Sequence, residues 1–312
     1  MSAYHTPCMP EEVALYLACR PGGVYVDGTL GGAGHAHMIC SLIGPTGRLI
    51  GIDQDHDAIR QARQVLAPYA AQIHLIHDNF SRLPRILEAL AIPAVDGILL
   101  DLGVSWHQLE ASGRGFSFQR AEPLDMRMNT DAAETAADVI AAADEQTLAR
   151  IFHEYGEERY ARRIARAIVR TRRQQPIDDS LALAEVVRRA MPAQAARRQR
   201  IHPATRVFMA LRIAVNRELE HLADTLPAAM AFLKPGGRLC VLAFHSLEDR
   251  IVKQAFREMS RTCRCAPAAP TCTCEGRPLV RLLTRKAVRP GAAEIEANPM
   301  ARSTRLRAVE KC

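Results

Sequence analysis

An α/β fold, with a doubly wound parallel sheet interrupted by an all-helical insertion, is what this sequence predicts. Three observations carry the expectation. Short β-branched runs alternate with helix-period stretches from Gly23 to Gly103, strand character disappears between Leu109 and Arg212, and the alternation then resumes. Regular alternation of strand and helix favours parallel strands with helices on both faces. The expected division is a discontinuous sheet domain, residues 1–108 and 213–312, and a helical insertion, residues 109–212.

The stretch from Gly23 to His35, GVYVDGTLGGAGH, reads as a strand and a glycine-rich turn leading into the helix AHMICSLI. A second strand, Arg48 to Asp53, precedes a helix from His56 to about Tyr69. The strand Ile73 to His77, a helix over Leu83 to Ala91 and the strand Val95 to Gly103 complete the first half. In the insertion, QQPIDD and the pair Met191-Pro192 mark turns between helical stretches. The sheet pattern returns with a helix from Ala214 to Leu233, the KPGG turn, the strand Arg238 to Phe244 and a helix from Leu247 to Met259. Two further strands are expected in PLVRLLTRKAV and STRLRAVE.

A chain of 312 residues, 48% of them hydrophobic, can bury a full core, which excludes a disordered protein. Neither a secretory leader nor a membrane-length apolar run is visible, so a cytoplasmic protein is expected. The net charge of +7 favours a polyanionic partner. Of nine cysteines, Cys8, Cys19, Cys40, Cys240 and Cys312 stand singly, as suits thiols in a reducing compartment.

A glycine-rich turn after the first strand lets a ligand approach the backbone, and an acid ending the second strand, here Asp53, can accept from two ribose hydroxyls. The turn alone fits a nicotinamide, a flavin or S-adenosylmethionine equally. Asp27 inside it would repel a pyrophosphate but attract the ammonium of a methionine moiety. After the third strand, Asp78 can accept from an adenine amino group while Phe80 packs on the ring. Single aspartates at strand ends are often only turn residues. Three after three successive strands favour an adenosine pocket at the switch of strand order.

The segments DGTLGGAGH, GIDQD, DGILLDLGVS, RGFSF with PLDMRM, YGEERYARRIARAIV, HPATRVF, LKPGGRL, FHSLEDRIVK and NPMARSTRLR, in this order, resemble the bacterial 16S rRNA (cytosine-N4)-methyltransferase family, RsmH or MraW. The resemblance spans nearly the whole chain. It implies a class I, Rossmann-like S-adenosylmethionine methyltransferase sheet carrying a helical substrate domain. It places cofactor contacts at Ala33, Gly34, His35, Asp53, Phe80, Asp101 and Gln108. The implied reaction is methylation of N4 of a cytidine in the ribosomal P-site region, within 16S rRNA of the small subunit. Ala33 stands where relatives commonly have glycine, and Trp106 where many have a small residue.

Cytosine N4 has its lone pair delocalised into the ring, so catalysis is expected from orientation and from an acceptor that takes the released proton. Asp101 is the first candidate, with Ser105 and either His245 or Ser246 as helpers. The alternative for FHSLED is helix entry, with Ser246 as N-cap and Asp249 in the capping-box position. For the RNA, Arg159, Arg162, Arg163, Arg166, Arg170 and Arg173 recur at three or four residues and share one face at about 100° per residue. The competing reading is a solvated face balanced by Glu154, Glu157 and Glu158. Arg206 of HPATR is grouped with the RNA contacts, and Arg188, Arg189, Arg197, Arg198 and Arg200 add a second basic region. Phe116 and Phe118 suit core packing more readily than stacking on a base.

Cys263, Cys265, Cys272 and Cys274 form two CxC pairs that suit a structural zinc, with free or oxidised thiols as the other reading. Two other functions stay open at this level, a nicotinamide oxidoreductase and a non-catalytic RNA-binding assembly factor. Monomer and homodimer are equally compatible with the sequence.

Overall fold

The computed structural model describes residues 6–192, 201–263, 265, 271 and 276–312. The chain forms two compact units: one runs to Gly103 and resumes over Leu219–Cys312, and the other spans Val104–Glu218.

The strands are β1 (Val24–Asp27), β2 (Arg48–Asp53), β3 (Ile73–His77), β4 (Val95–Asp101), β5 (Leu233–Ala243), β6 (Val280–Leu282) and β7 (Arg305–Lys311). They make one sheet in the order β3-β2-β1-β4-β5-β7-β6. Neighbours among β1 to β5 pair in parallel, and β7 runs antiparallel to both β5 and β6. The order reverses between β1 and β4, where the carboxyl ends of adjacent strands diverge and leave a crevice for a ligand.

Among the described residues the helices are α1 (Pro10–Leu17), α2 (Gly34–Ile43), α3 (His56–Val65), α4 (Leu83–Ala89), α5 (Trp106–Glu110), α6 (Ala136–Ala142), α7 (Glu145–Glu154), α8 (Ala161–Arg172), α9 (Ser180–Ala190), α10 (Ala204–Asn216), α11 (Glu218–Phe232), α12 (Ser246–Met259) and α13 (Ala292–Ala297). None is long and apolar enough to cross a membrane. One face of the sheet buries Val26, Ile50, Ile98 and Val241 against Leu87, Leu226 and Val252. The other buries Leu49, Leu99 and Leu242 with Ile39 and Ile43 of α2. The helical unit has its own core, centred on Leu148, Phe152, Ile164, Ile168, Leu183 and Leu211.

Several elements depart from the sequence expectation for identifiable reasons. The helix from His56 stops at Val65, and Pro68 lies in a 3-10 turn over Ala67–Gln72, since proline cannot donate to a continuing helix. The helix expected from Ala214 to Leu233 is two helices, broken at Arg217 in the left-handed region at φ +49°. Asn216 fixes that break: its side chain donates to Met126 O and Arg212 O and accepts from the Met128 N–H. Only Val280–Leu282 of PLVRLLTRKAV joins the sheet as a strand, with Val288 adding an isolated bridge to Leu306. The last strand begins at Arg305, because Pro299–Ser303 form a 3-10 turn.

The N-terminal segment is tied down. Cys8 and Met9 are buried, the Met9 N–H donates to Glu294 Oε1, and Asn298 Nδ2 donates to Thr6 O. Arg197, Arg198, Arg200, Cys272 and Cys274 lie outside the described residues. The four-thiolate zinc arrangement therefore has no geometry to report, although Cys263 and Cys265 are described.

Candidate active site

Three carboxylates and an imidazole gather at the carboxyl ends of β1, β2 and β4. Asp27 closes β1 and is fully buried. Its Oδ1 accepts from the Thr29 N–H at 3.1 Å, while Oδ2 is buried without a hydrogen-bond partner among the described residues. Burial pushes its pKa up to about 7, against the lowering pull of His35, with Asp101 and Asp53 adding to the rise. A buried acid whose charge is disfavoured by desolvation and which has an unused oxygen suits a cationic ligand that would complete its charge.

Asp53 ends β2 and receives the Gly31 N–H on Oδ2 and the Asp55 N–H on Oδ1, each at 2.9 Å. Two carboxylate oxygens offer about four acceptor sites, so these amides leave room for a ribose hydroxyl. Burial raises this carboxyl to about 6, with the backbone amides of Gly31, Asp55 and Gln54 working in the opposite sense. Gly31 is a residue the sequence analysis passed over. It sits at φ +47° with open space where a side chain would stand, so the turn presents bare backbone. Gly28 is needed for packing, since a Cβ there would lie 2.6 Å from Leu100 Cδ2.

Ala33 caps α2 at φ +62°, a left-handed conformation that explains why glycine serves better there. Gly34, expected to contact a cofactor, is closely approached by the chain itself: a Cβ would meet Pro7 Cδ at 2.8 Å. His35 is buried, and its Nε2 lies 3.5 Å from Asp101 Oδ2. Burial disfavours its charged form, yet Asp101 and Asp27 outweigh that and raise its pKa above the ordinary value. Asp101 is held at the end of β4 by donation of its N–H to Thr29 Oγ1 at 2.6 Å, and its Oδ1 is buried without a partner among the described residues. Thr29 is a second positioning residue that no sequence signal marked.

Beyond β3, Asp78 Oδ1 accepts from the Asn79 N–H at 2.8 Å and lies 3.4 Å from Arg82 Nε, in a more exposed position than the other acids. Phe80 opens a 3-10 turn and packs on the apolar face that holds Val26 and Leu100.

FHSLED enters α12, but one residue earlier than expected. His245, not Ser246, is the N-cap: it is extended, its side chain accepts from the Glu248 N–H, and the Glu248 carboxylate completes the capping box. Glu248 Oε2 also accepts from the Phe244 N–H at 2.8 Å. Asp249 is not the box partner, because Arg307 Nε at 2.6 Å and Arg305 Nη1 at 3.1 Å hold it instead. Ser246 is the first helical residue.

In the helical unit, Ser105 and Gln108 make a reciprocal capping box at the start of α5. Ser105 Oγ accepts from the Gln108 N–H at 3.2 Å, and Gln108 Oε1 accepts from the Ser105 N–H at 2.9 Å. Both side chains are thus pre-organised by the local fold. On α8, Arg162, Arg163, Arg166 and Arg170 are exposed while Ile164 and Ile168 are buried. Arg159 lies before the helix, not on it, and its neighbour Tyr160 is the N-cap. Arg150, His153, Arg159, Tyr160, Arg162 and Arg163 contribute to a cavity of about 980 Å³ beside α7.

Glu158, one of the acids that would balance the basic face, is instead buried and accepts from the Tyr160 N–H at 2.8 Å. Arg206 lies 3.8 Å from its other oxygen, so this arginine is partly committed to a buried charge. Arg166 pairs with Glu145 at 3.3 Å, both side chains largely in solvent. Phe116 is core, and Phe118 packs edge-on to Phe208 at 4.9 Å and beside His202 at 4.6 Å.

A doubly wound sheet closed by a reversed β7, with acids at the ends of β1, β2 and β4, defines a Rossmann-like S-adenosylmethionine-dependent methyltransferase. The orphaned oxygens of Asp27 and Asp101 fit that cofactor, which brings a sulfonium and an ammonium. The chain belongs to the MraW methylase family, whose model matches residues 2–312. It is 53% identical over 307 residues to ribosomal RNA small subunit methyltransferase H of Desulforapulum autotrophicum, covering 98% of each chain. It is 54% identical over 307 residues to the protein of the same name from Syntrophotalea carbinolica, again covering 98% of each. Among solved structures, an rRNA methylase from Streptococcus thermophilus aligns at 10% identity with a TM-score of 0.43, covering 97% of this chain and 93% of that one.

Proposed function

We propose that this protein methylates the exocyclic N4 amine of a cytidine in the P-site (decoding) region of 16S rRNA. Its substrate on this reading is the small ribosomal subunit in the cytoplasm. The observation that carries the reading is the half-buried Asp101 carboxylate at the end of β4, with its buried Oδ1 lacking a partner among the described residues and its backbone pinned by Thr29. Such an acceptor suits a neutral amine that must be oriented and must lose a proton. The names of the curated relatives support the ribosomal substrate, and the FHSLEDRIVK and PLDMRM segments support the N4 target through the family resemblance.

S-adenosylmethionine supplies an electrophilic methyl group when bound. Asp53 would hold the ribose hydroxyls, Asp27 the ammonium, and Asp78 with Phe80 the adenine. Ala33, Gly34 and Gln108 are assigned to the same ligand by resemblance. Asp101 accepts a hydrogen bond from the target amine, which turns the nitrogen lone pair towards the methyl, and then takes the proton. Ser105 and Ser246 are assigned as helpers from their places at the starts of α5 and α12, and His245 is fixed by its capping box. The exposed arginines of α8, with Arg159 and the remaining exposure of Arg206, would contact phosphates.

Mapping N4-methylcytidine in 16S rRNA from a deletion strain tests this reading. The modification should vanish, return with the wild-type gene and stay absent with Asp101→Ala. An unchanged modification pattern in the deletion strain overturns the assignment.

A further inference from the structure

Asp27, His35 and Asp101 form a cluster of ionisable groups at the carboxyl ends of β1 and β4 and the start of α2. His35 Nε2 lies 3.5 Å from Asp101 Oδ2, at the outer limit of hydrogen-bond reach. The groups that face His35 are Asp101 from β4, Asp27 from β1 and the backbone of Cys8 in the N-terminal segment. Asp53 of β2 faces Asp27 in turn. The Cys8 thiol, pushed up to about 12 by burial and by Asp101, stays neutral and takes no part in the charge balance. The imidazole is therefore the basic side chain set among these carboxylates.

Buried sites resist any change in net charge, because an uncompensated charge in a low-dielectric interior is costly. We propose that His35 is a positioning residue that keeps the charge of the site constant. It is neutral while a sulfonium cation is bound, and it is protonated, through Asp101, by the acceptor amine's proton once a neutral thioether has replaced that cation. This rests on S-adenosylmethionine being the methyl donor. Asp101 takes the amine proton as the nitrogen lone pair forms the new C–N bond and the C–S electron pair stays on sulfur. His35, 3.5 Å from that carboxylate, then receives the proton from Asp101, so one positive charge leaves sulfur and one appears on the imidazole. The raised pKa of His35 agrees with this role, since its carboxylate neighbours favour the charged ring when no other cation is present.

Asp27 is distinguished from His35 by what it faces. The ammonium assigned to Asp27 is common to donor and product, so proton exchange at Asp27 cancels when the two ligands are compared. The sulfonium charge does not cancel.

Calorimetric titration of the full chain with S-adenosylmethionine and with S-adenosylhomocysteine, each in two buffers of different ionisation enthalpy, counts the protons exchanged. Binding of the product should take up about one proton more than binding of the donor near neutral pH. The ratio of product to donor affinity should then rise about tenfold per pH unit as the pH falls through the titration of His35. The difference should disappear in His35→Gln and persist in Asp27→Asn. Equal proton counts in the wild type overturn the proposal, as does a His35→Gln protein that keeps the full difference. Should His35→Gln not fold, the wild-type count still decides. Failure of either ligand to bind the folded wild type would instead overturn the cofactor assignment.

Discussion

In the sheet unit the charges that matter are carboxylates at strand ends: Asp27 and Asp53 accept backbone N–H groups, and Asp27 and Asp101 each keep an oxygen without a partner among the described residues. In the helical unit they are guanidinium groups standing in solvent, paired loosely or not held at all. Asp27 is fully buried and Asp53 receives two amides, whereas Arg166 meets Glu145 at 3.3 Å with both side chains largely exposed. A small ligand of constant shape rewards a rigid, desolvated pocket, because each polar group contributes more away from water. A long polyanion rewards a broad field that tolerates movement, at the cost of sensitivity to salt. On the proposed reading the same chain uses opposite electrostatic strategies for a small cofactor and for RNA.

The contrast breaks most visibly at Asp101. Asp101→Ala should lower kcat by about 10²- to 10⁴-fold, with RNA affinity and melting temperature close to wild type. Wild-type turnover in that variant would remove this acceptor from the mechanism. Next comes the buried pair behind the site: Asp249→Ala strands Arg307, which is 8% exposed, and should cost about 3–5 kcal/mol in denaturant unfolding. A loss below about 1 kcal/mol would show that this pair behaves like a surface one.

Smaller effects are expected from the basic face. Replacing Arg162, Arg163, Arg166 and Arg170 with Gln should weaken RNA binding and flatten its salt dependence, by roughly 0.7 in log–log slope for each phosphate that is no longer neutralised. Cofactor affinity should not move, and an unchanged salt slope would take the face out of RNA binding. Smallest is Ala33→Gly, which relieves a left-handed alanine at φ +62° and should raise stability by about 1 kcal/mol. Destabilisation would mean that the buried Ala33 methyl group contributes more by packing than it costs in strain.

Much of the sheet was legible in the chain because its cues are local. β2 and β3 have the expected bounds, since aliphatic runs bracketed by glycine, proline and aspartate turns leave little choice of register. The acids ending β1, β2 and β4 were legible for the same reason. What escaped depended on partners far along the chain. The N-cap of α12 moved to His245 because Asp249 is taken by Arg305 and Arg307 of β7, more than fifty residues later. Glu158 looked like a surface counter-charge and is buried. Arg217 looked helical and breaks the helix, because Asn216 reaches back to Met126, 90 residues earlier.

The sequence by itself determined the alternation that makes the sheet, the glycine turn with its acids, the arginine periodicity of α8 and the motifs that mark the family. These are patterns of a few residues, governed by backbone sterics and hydrophobic period. The tertiary structure alone decided which acids keep an unused oxygen, which arginines are already engaged, and that His35 lies against Asp101, 66 residues away. Burial sets those outcomes. Whether a charge is hydrated, paired or left facing a ligand depends on how segments distant in sequence pack around it.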